Sequence, residues 1–238
     1  MACDRGSNAA NRDAPPENRD RRNRWASRVP QQPARISIDR YTMAKSPSST
    51  RARRTPSRRL ASRDTLYPLD VVYGRAGVAM PETKIVAPYE IPLPYRAMLV
   101  HEDDMTITLE RHYGGRVILR ALSTFTSGAW YYRRVLLVHE YSGRPVEMGA
   151  IRMKLDAFGA RVKKQILANE IPLGRILRDA GFKYVSHAMA FLAITPNPEM
   201  MGVFWMRESK TLYGRRTELV HNGTKIGDIV EVLPLVFR

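Results

Sequence analysis

Residues 212–234 read LYGRRTELVHNGTKIGDIVEVLP, and the pattern predicts a β-hairpin that turns at Asn222-Gly223. Asn-Gly is a favoured pair for a two-residue hairpin turn, because both positions take a positive φ. Counting outward from this turn places Glu231 opposite Gly214 and diagonal to Arg216. Glu231 is an isolated acid in an apolar run, so either it lines a pocket beside the glycine or Arg216 reaches across and neutralises it.

A second predicted hairpin brings two arginines together. If Ser142-Gly143 is a two-residue turn, Arg133 lies directly opposite Arg152 on the neighbouring strand. The same face then carries five apolar residues, which are Val135, Leu137, Val146, Met148 and Ala150. Like charges placed opposite each other destabilise a sheet, and arginine cannot lose its proton, so this pair needs an anion. The anion is either Asp156 or Glu110 in a structural ion pair, or the carboxylate of a ligand, which suits the planar guanidinium.

The remaining segments predict an α+β domain. Six runs are rich in β-branched and aromatic residues, and several are joined by short turns that contain glycine. These runs are RVILRALSTFT, WYYRRVLLVHEY, RPVEMGAIRMKL, KYVSHAMAFLAI, TLYGRRTELVH and TKIGDIVEVLPL. Their hairpin-length links predict a single domain with an antiparallel sheet of about six strands and helices packed on it. The helices are a short one in YRAMLVHEDDM, ending near Asp103-Asp104, and two in FGARVKKQILANEIPLGRILRDAGF, whereas PETKIVAPYEIPLP is predicted to be a loop.

Length and composition favour one domain with an appended segment. The chain has 238 residues, of which 44% are hydrophobic, and this is enough for a core. No apolar run approaches the roughly 18 to 20 residues of a membrane span, and no secretory signal is recognisable, so we expect a cytoplasmic protein. The single cysteine, Cys3, excludes a disulfide framework and a thiolate metal site, and no HxxxH pair is present. A Gly-rich phosphate loop and a GxSxG nucleophile motif are also absent.

Residues 1–65 differ in composition from the rest of the chain. They hold 16 of the 39 Lys and Arg residues and 6 of the 23 acids, so +10 of the net charge of +16 lies in this segment. The segment is rich in Arg, Ser and Pro and poor in apolar residues, which predicts a disordered basic extension before a domain at 66–238. Its arginines could hold nucleic acid through phosphate contacts, but few aromatic residues besides Trp25 alternate with them as stacking platforms. From Met43 onward the composition is also that of an organelle transit peptide.

Four stretches of the domain resemble chorismate pyruvate-lyase, the enzyme that makes 4-hydroxybenzoate for ubiquinone. They are HEDDMT with Met105, YRRVLL with Arg133, PLGRIL with Leu173, and YGRRT followed by VEVLP with Glu231. Each motif is weak alone, but their order and spacing are close to those of the family over roughly residues 90–235. The resemblance implies a chorismate lyase-like fold and a lyase that eliminates pyruvate from chorismate without a metal or a cofactor.

The resemblance also implies a role for each matching residue. Arg133 and Arg152 would bind the carboxylates of chorismate, and Glu231 would meet the ring hydroxyl and handle a proton as the ring becomes aromatic. These three residues are the expected catalytic set. Backbone N–H groups for ligand oxygens are expected from Met105, Leu173 and Gly174. The last two open a helix, and a helix start favours anions.

Two other functions stay open from the sequence. The same fold occurs in ligand-sensing domains of bacterial regulators, which bind small effectors such as benzoates and catalyse nothing. Residues 1–65 are too poor in apolar residues to form the DNA-binding domain that normally precedes such a sensor. The other alternative is a basic nucleic-acid-associated protein that carries an inactive domain. We expect a monomer with a small-molecule ligand, no metal and no cofactor.

Overall fold

The computed structural model describes residues 65–235, which form six α-helices and seven β-strands. The helices are α1 (Leu69–Ala76), α2 (Tyr95–Leu99), α3 (Met105–Tyr113), α4 (Ala160–Ala168), α5 (Leu173–Asp179) and α6 (Pro198–Val203). The strands are β1 (Glu82–Val86), β2 (Val117–Ser127), β3 (Trp130–His139), β4 (Pro145–Lys154), β5 (Val185–Thr195), β6 (Leu212–His221) and β7 (Thr224–Leu233). The predicted basic extension, residues 1–65, lies outside the described residues except for Thr65, so its predicted disorder stays a prediction.

All seven strands form one antiparallel sheet in the order β1-β5-β6-β7-β4-β3-β2. Each of the six predicted runs is a strand, and the α+β class is confirmed. The seventh strand, β1, lies where the sequence predicts a loop, and it pairs along the outer edge of β5. Five residues close to prolines give little periodic signal, so pairing with β5 rather than local sequence makes this segment a strand.

Helices cover both faces of the sheet. On one face, called face A here, α1 and α6 pack on apolar residues of the central strands, including Leu136, Met148 and Val230. On the opposite face, called face B, α2 and α3 cover one end of the sheet, and α4 and α5 cover the other end. A cavity remains on face B between these two helix pairs.

The hairpin of β3 and β4 differs by one residue from its predicted register. Its turn is longer than the predicted two residues, and an extra residue, Val146, forms a bulge in β4. Beyond the bulge, Arg133 lies opposite Ile151, and Arg152 lies opposite Tyr132. Because side chains alternate between the two faces along a strand, this shift puts Arg133 on face B and Arg152 on face A. The prediction that the two guanidinium groups share one face is wrong.

The hairpin of β6 and β7 has the predicted turn but not the predicted register. Asn222 and Gly223 take positive φ values of 49° and 73°, as the Asn-Gly turn requires. An extra residue, Ile226, forms a bulge three positions into β7. Glu231 therefore lies opposite Arg215 instead of the preceding glycine, and the two side chains form an ion pair.

Two of the three predicted helices are found, and the third is replaced by two helices. The segment 158–182 forms α4 and α5 as predicted, with Asn169 at a positive φ of 55° after α4 and Gly181 at 62° after α5. The predicted short helix that ends near Asp103-Asp104 is instead two helices. The first, α2, ends at Leu99, and Asp104 starts α3 by accepting a hydrogen bond of 2.7 Å from the N–H of Thr106. Aspartate is a favoured N-cap residue, which explains why it begins a helix here.

Candidate ligand-binding site

A cavity of about 390 Å³ lies on face B between the α2–α3 pair and the α4–α5 pair. Its volume is within the range of small-molecule sites, roughly 300 to 1,000 Å³. Four central strands form its floor through Val135, Gly149, Ile229 and Leu219. Four buried charged residues also line it, and these are Arg133, Glu147, Arg215 and Glu231.

Arg133 is a buried cation without an anion beside it in the part of the chain that the structure describes. Its side chain is 2% exposed, and no carboxylate within residues 65–235 forms an ion pair with it. Nε has no hydrogen-bond partner in this part of the chain, and Nη1 donates only a long bond of 3.5 Å to the carbonyl of Ile166. Burial lowers the pKa of Arg133 to about 10, which leaves the side chain charged at neutral pH. Glu110 and Asp156, the two acids considered as structural partners, pair with other basic residues.

Arg215 and Glu231 form a buried ion pair between adjacent strands. Arg215 Nε donates to Glu231 Oε2, and Arg215 Nη1 donates to the carbonyls of Leu99 and His101 at 3.1 Å each. These bonds tie β6 to the chain that follows α2. Burial, and then the charge of Arg215, lower the pKa of His101. Glu231 therefore faces the cavity with its charge already neutralised by a protein side chain.

Glu147 is a second buried acid in the cavity. It lies on β4, is 4% exposed, and its Oε2 atom has no hydrogen-bond partner among the described residues. Burial, and then the nearby charge of Glu231, raise the pKa of Glu147 well above its ordinary value. Both effects favour the neutral carboxylic acid, which has one O–H donor.

The carboxyl group of Glu147 lies close to Gly149 on the cavity floor. A Cβ atom at this position would lie 3.1 Å from Glu147 Oε1 and 3.4 Å from Val135 Cγ2. The carboxyl group of Glu147 therefore lies over the glycine and borders the empty space. A larger side chain at position 149 would occupy the floor and displace this carboxyl group.

Three of the expected ligand-binding residues lie at one end of the cavity. Met105 is the first residue of α3, and Leu173 and Gly174 are the first two residues of α5. Asp104 lies between the two helix starts, so close to Gly174 that a Cβ atom there would overlap its carboxylate. Burial raises the pKa of Asp104. Because a protein carboxylate is already beside these N–H groups, their contact with ligand oxygens stays a prediction.

Arg152 lies on face A, away from the cavity. Its Nε donates to Asp228 Oδ2 at 2.8 Å, and its guanidinium lies 3.9 Å from the ring centroid of Trp130 and 4.4 Å from that of Tyr67. Asp228 is fully buried and also contacts Lys225 Nζ at 2.6 Å. The anion that neutralises Arg152 thus belongs to the protein. The structure brings Arg133 and Glu231 to one cavity and leaves Arg152 out of it.

The sequence interpretation missed two of the four buried charged residues of the cavity, Glu147 and Arg215. Glu147 carries the same signal as Glu231, an acid isolated between apolar residues of a strand. The predicted register placed its neighbours Val146 and Met148 on the arginine face, and therefore placed Glu147 on the opposite face. A shift of one residue reverses every such assignment.

The described part of the chain contains no group of three or more His, Cys, Asp or Glu side chains arranged to hold a metal ion. In the same residues, no helix has both the length and the apolar character that crossing a membrane requires.

No family model matches the sequence, and no curated protein matches it. The chain is similar to several solved structures at low identity. One is the ligand-binding domain of a protein assigned to the GntR family of transcriptional regulators from Bordetella bronchiseptica, with 12% identity, a TM-score of 0.38, and coverage of 51% of this chain and 90% of that chain. Another is PhnF from Mycobacterium smegmatis, with 12% identity, a TM-score of 0.42, and coverage of 58% of this chain and 66% of PhnF. A third is the C-terminal domain of the histidine utilization repressor from Pseudomonas syringae, with 11% identity, a TM-score of 0.35, and coverage of 52% of this chain and 98% of that domain.

The expectation of a pyruvate-lyase is wrong. Two of the solved structures named above are described as domains of a transcriptional regulator and of a repressor, and none of the three is described as a lyase. The positions of the expected catalytic residues give a physical reason. Glu231, expected to handle a proton, is held by Arg215, and Arg152, expected to bind a second carboxylate, lies on the other face of the sheet. The expected catalytic residues Arg133, Arg152 and Glu231 are therefore not brought together in one cavity.

Proposed function

We propose that residues 65–235 bind a small organic monocarboxylate, such as a benzoate, in the cavity on face B, and act as a non-catalytic sensing domain. The observation that carries this proposal is the state of Arg133. It is a cation at 2% exposure that lines a cavity, and it has no anionic partner in the described chain.

A ligand carboxylate supplies what Arg133 lacks. Taking an ion out of water costs several kcal/mol even after relaxation, and an opposite charge is needed to offset this cost. Hydrogen bonds to charged groups contribute about 1.5 to 3 kcal/mol each. Among the described residues, Arg133 Nε has no hydrogen-bond partner and Nη1 has only a long one, so the planar guanidinium can still bind a carboxylate with two parallel bonds.

The charges of the cavity favour one ligand carboxylate over two. The other cation that lines it within residues 65–235, Arg215, is neutralised by Glu231. Three acids lie at the α3 end of the cavity, and these are Glu102, Asp103 and Asp104. Asp103 and Asp104 pair with Arg111 and Arg178 at 3.9 and 3.5 Å, so among the described residues this end offers no free cation to a second anionic group. Chorismate, the ligand implied by the resemblance, carries two carboxylates, so a monoanion such as benzoate or 4-hydroxybenzoate fits these charges better.

The rest of the cavity suits an apolar ring. Apolar side chains surround the floor, and they include Leu119, Val135, Leu137, Ile151 and Ile229. Burying apolar surface contributes roughly 25 cal/mol per Å². A single ring that carries one carboxylate therefore satisfies both the apolar walls and Arg133.

Isothermal titration calorimetry of the full chain with benzoate tests this proposal. Benzamide is the matched control ligand, because it has nearly the same shape and no charge. We expect benzoate to bind at least about tenfold more tightly than benzamide, which corresponds to about 1.4 kcal/mol. Equal affinity for the two ligands, or no binding of benzoate, would contradict the proposal. Incubation with chorismate should release no pyruvate.

Three expectations from the sequence stay predictions. They are nucleic-acid binding by residues 1–65, a monomeric state, and a cytoplasmic or organellar location. The segment that would carry the first of these lies outside the described residues apart from its last position.

A further inference from the structure

We propose that Glu147 selects the ligand by donating a hydrogen bond from its carboxyl group to a neutral oxygen acceptor at the end of the ligand remote from the carboxylate. A carbonyl, ether or hydroxyl oxygen would serve as this acceptor. The inference rests on the proposed function and specifies the second polar group of the ligand.

The first observation is a buried carboxyl group without a partner. Glu147 is 4% exposed and lines the cavity, and its Oε2 atom makes no hydrogen bond within residues 65–235. A buried polar atom left unsatisfied destabilises the protein and calls for a specific explanation. Its Oε1 atom would be 3.1 Å from a Cβ atom on Gly149, the residue at the centre of the floor. A ring lying on that floor would contact the carboxyl group of Glu147.

The surroundings of Glu147 favour its protonated form. Burial raises its pKa, the charges of Glu231 and Asp104 raise it as well, and only Arg215 acts in the opposite direction. Arg215 is already held by Glu231 and by two backbone carbonyls. A protonated carboxyl group offers one O–H donor, so the partner that it lacks is an acceptor.

A neutral oxygen fits this position better than a charged group. A ligand ammonium has no acceptor atom, so it could not accept the hydrogen bond of a protonated carboxyl group. A second ligand carboxylate would face the charges of Glu231 and Asp104. A neutral oxygen accepts the hydrogen bond and avoids this repulsion.

Arg133 and Glu147 lie at separate places along the cavity floor. Arg133 is opposite Ile151, and Glu147 is on the same strand as Ile151, four residues away. The carboxyl group of Glu147 lies over Gly149, two residues from Ile151, which is roughly 7 Å along the strand at about 3.3 Å per residue. A ligand with one ring and a small substituent can reach from the guanidinium to this carboxyl group. One end of the ligand would then meet the guanidinium and the other end the carboxyl group.

The test uses two benzoates of nearly equal shape. Acetylbenzoate carries a carbonyl acceptor, and isopropylbenzoate has a methyl group in place of that oxygen. Calorimetric titration of the full chain with the 3- and 4-substituted forms of each should show a preference of about tenfold for acetylbenzoate in at least one series. The Glu147→Leu variant should lose this preference, measured as the ratio of its own affinities for acetylbenzoate and isopropylbenzoate. The Glu147→Gln variant should keep the preference, because the amide N–H still donates.

The outcomes separate this inference from the proposed function. If benzoate binds but the wild type shows no preference for acetylbenzoate, or if Glu147→Leu keeps the preference, the role of Glu147 is refuted and the carboxylate site stands. If benzoate itself does not bind, the proposed function fails and this inference fails with it. A preference that is lost in Glu147→Leu and retained in Glu147→Gln supports the inference, since a purely structural role would not distinguish the two ligands.

Discussion

Replacing Arg133 with methionine removes the charge on which the carboxylate site depends. Methionine has a flexible unbranched side chain that fills irregular space, so the cavity wall is largely kept. The ligand-free variant should be at least as stable as the wild type, because the removed cation is buried and has no anionic partner in the described chain. Exchanging buried ionic groups for hydrophobic residues of similar volume is often neutral or stabilises proteins by about 1 to 4 kcal/mol. The bond to the carbonyl of Ile166, at 3.5 Å, is too long to offset this gain.

Benzoate affinity should change in the opposite direction. In Arg133→Met the ligand carboxylate would be buried without its charged partner, which costs about 2 to 5 kcal/mol. At about 1.4 kcal/mol for each factor of ten, the affinity should fall by roughly 30-fold to 4,000-fold. Isothermal titration calorimetry measures this affinity, and urea unfolding of the same samples measures the stability.

Arg152→Met is the matched control, because Arg152 lies on the neighbouring strand and on the opposite face. This variant should lose stability, since Asp228 loses its 2.8 Å partner, while the benzoate affinity stays within about twofold of the wild-type value. Wild-type affinity in Arg133→Met would refute the assignment of the carboxylate site. Loss of binding in a folded Arg152→Met variant would refute it as well.

Three further changes test other parts of the cavity. The pKa of Glu147 is raised in the folded protein. Above about pH 4.3 the unfolded chain therefore releases a proton that the folded state keeps. Glu147 consequently makes the wild type less stable as the pH rises above this value. Glu147→Gln has no titrating group at this position and no such loss. In urea unfolding, the unfolding free energy of the variant should equal that of the wild type near pH 4 and clearly exceed it at pH 7. Glu231→Leu leaves Arg215 buried without its partner and should cost about 3 to 5 kcal/mol, whereas the double variant with Arg215→Met should recover most of this stability. Gly149→Ala places a methyl group on the cavity floor, so benzoate affinity should fall by about 5-fold to 100-fold. The unfolding free energy should change by less than about 1 kcal/mol. Unchanged affinity would show that the ligand does not lie on this floor.

Short stretches of sequence determined the type of most elements. Six strands follow from runs of β-branched and aromatic residues, and the Asn222-Gly223 turn follows from two residues that tolerate positive φ. The exceptions depend on contacts outside the segment itself. The strand β1 exists because it pairs with β5, and the start of α3 depends on the side chain of Asp104 bonding to the backbone of Thr106.

The sequence by itself determined that this chain is an α+β sheet domain with Arg133 and Glu231 isolated in apolar strands. Only the tertiary structure decided that Arg133 has no anionic partner within residues 65–235, that Glu147 joins it in a cavity, and that Arg152 lies on the other face. Two bulges, at Val146 and Ile226, account for the difference. Each adds one residue to a strand and reverses the face of the residues beyond it relative to the predicted pairing. Register depends on how paired strands and their covering helices pack, and local residue preferences do not contain that information.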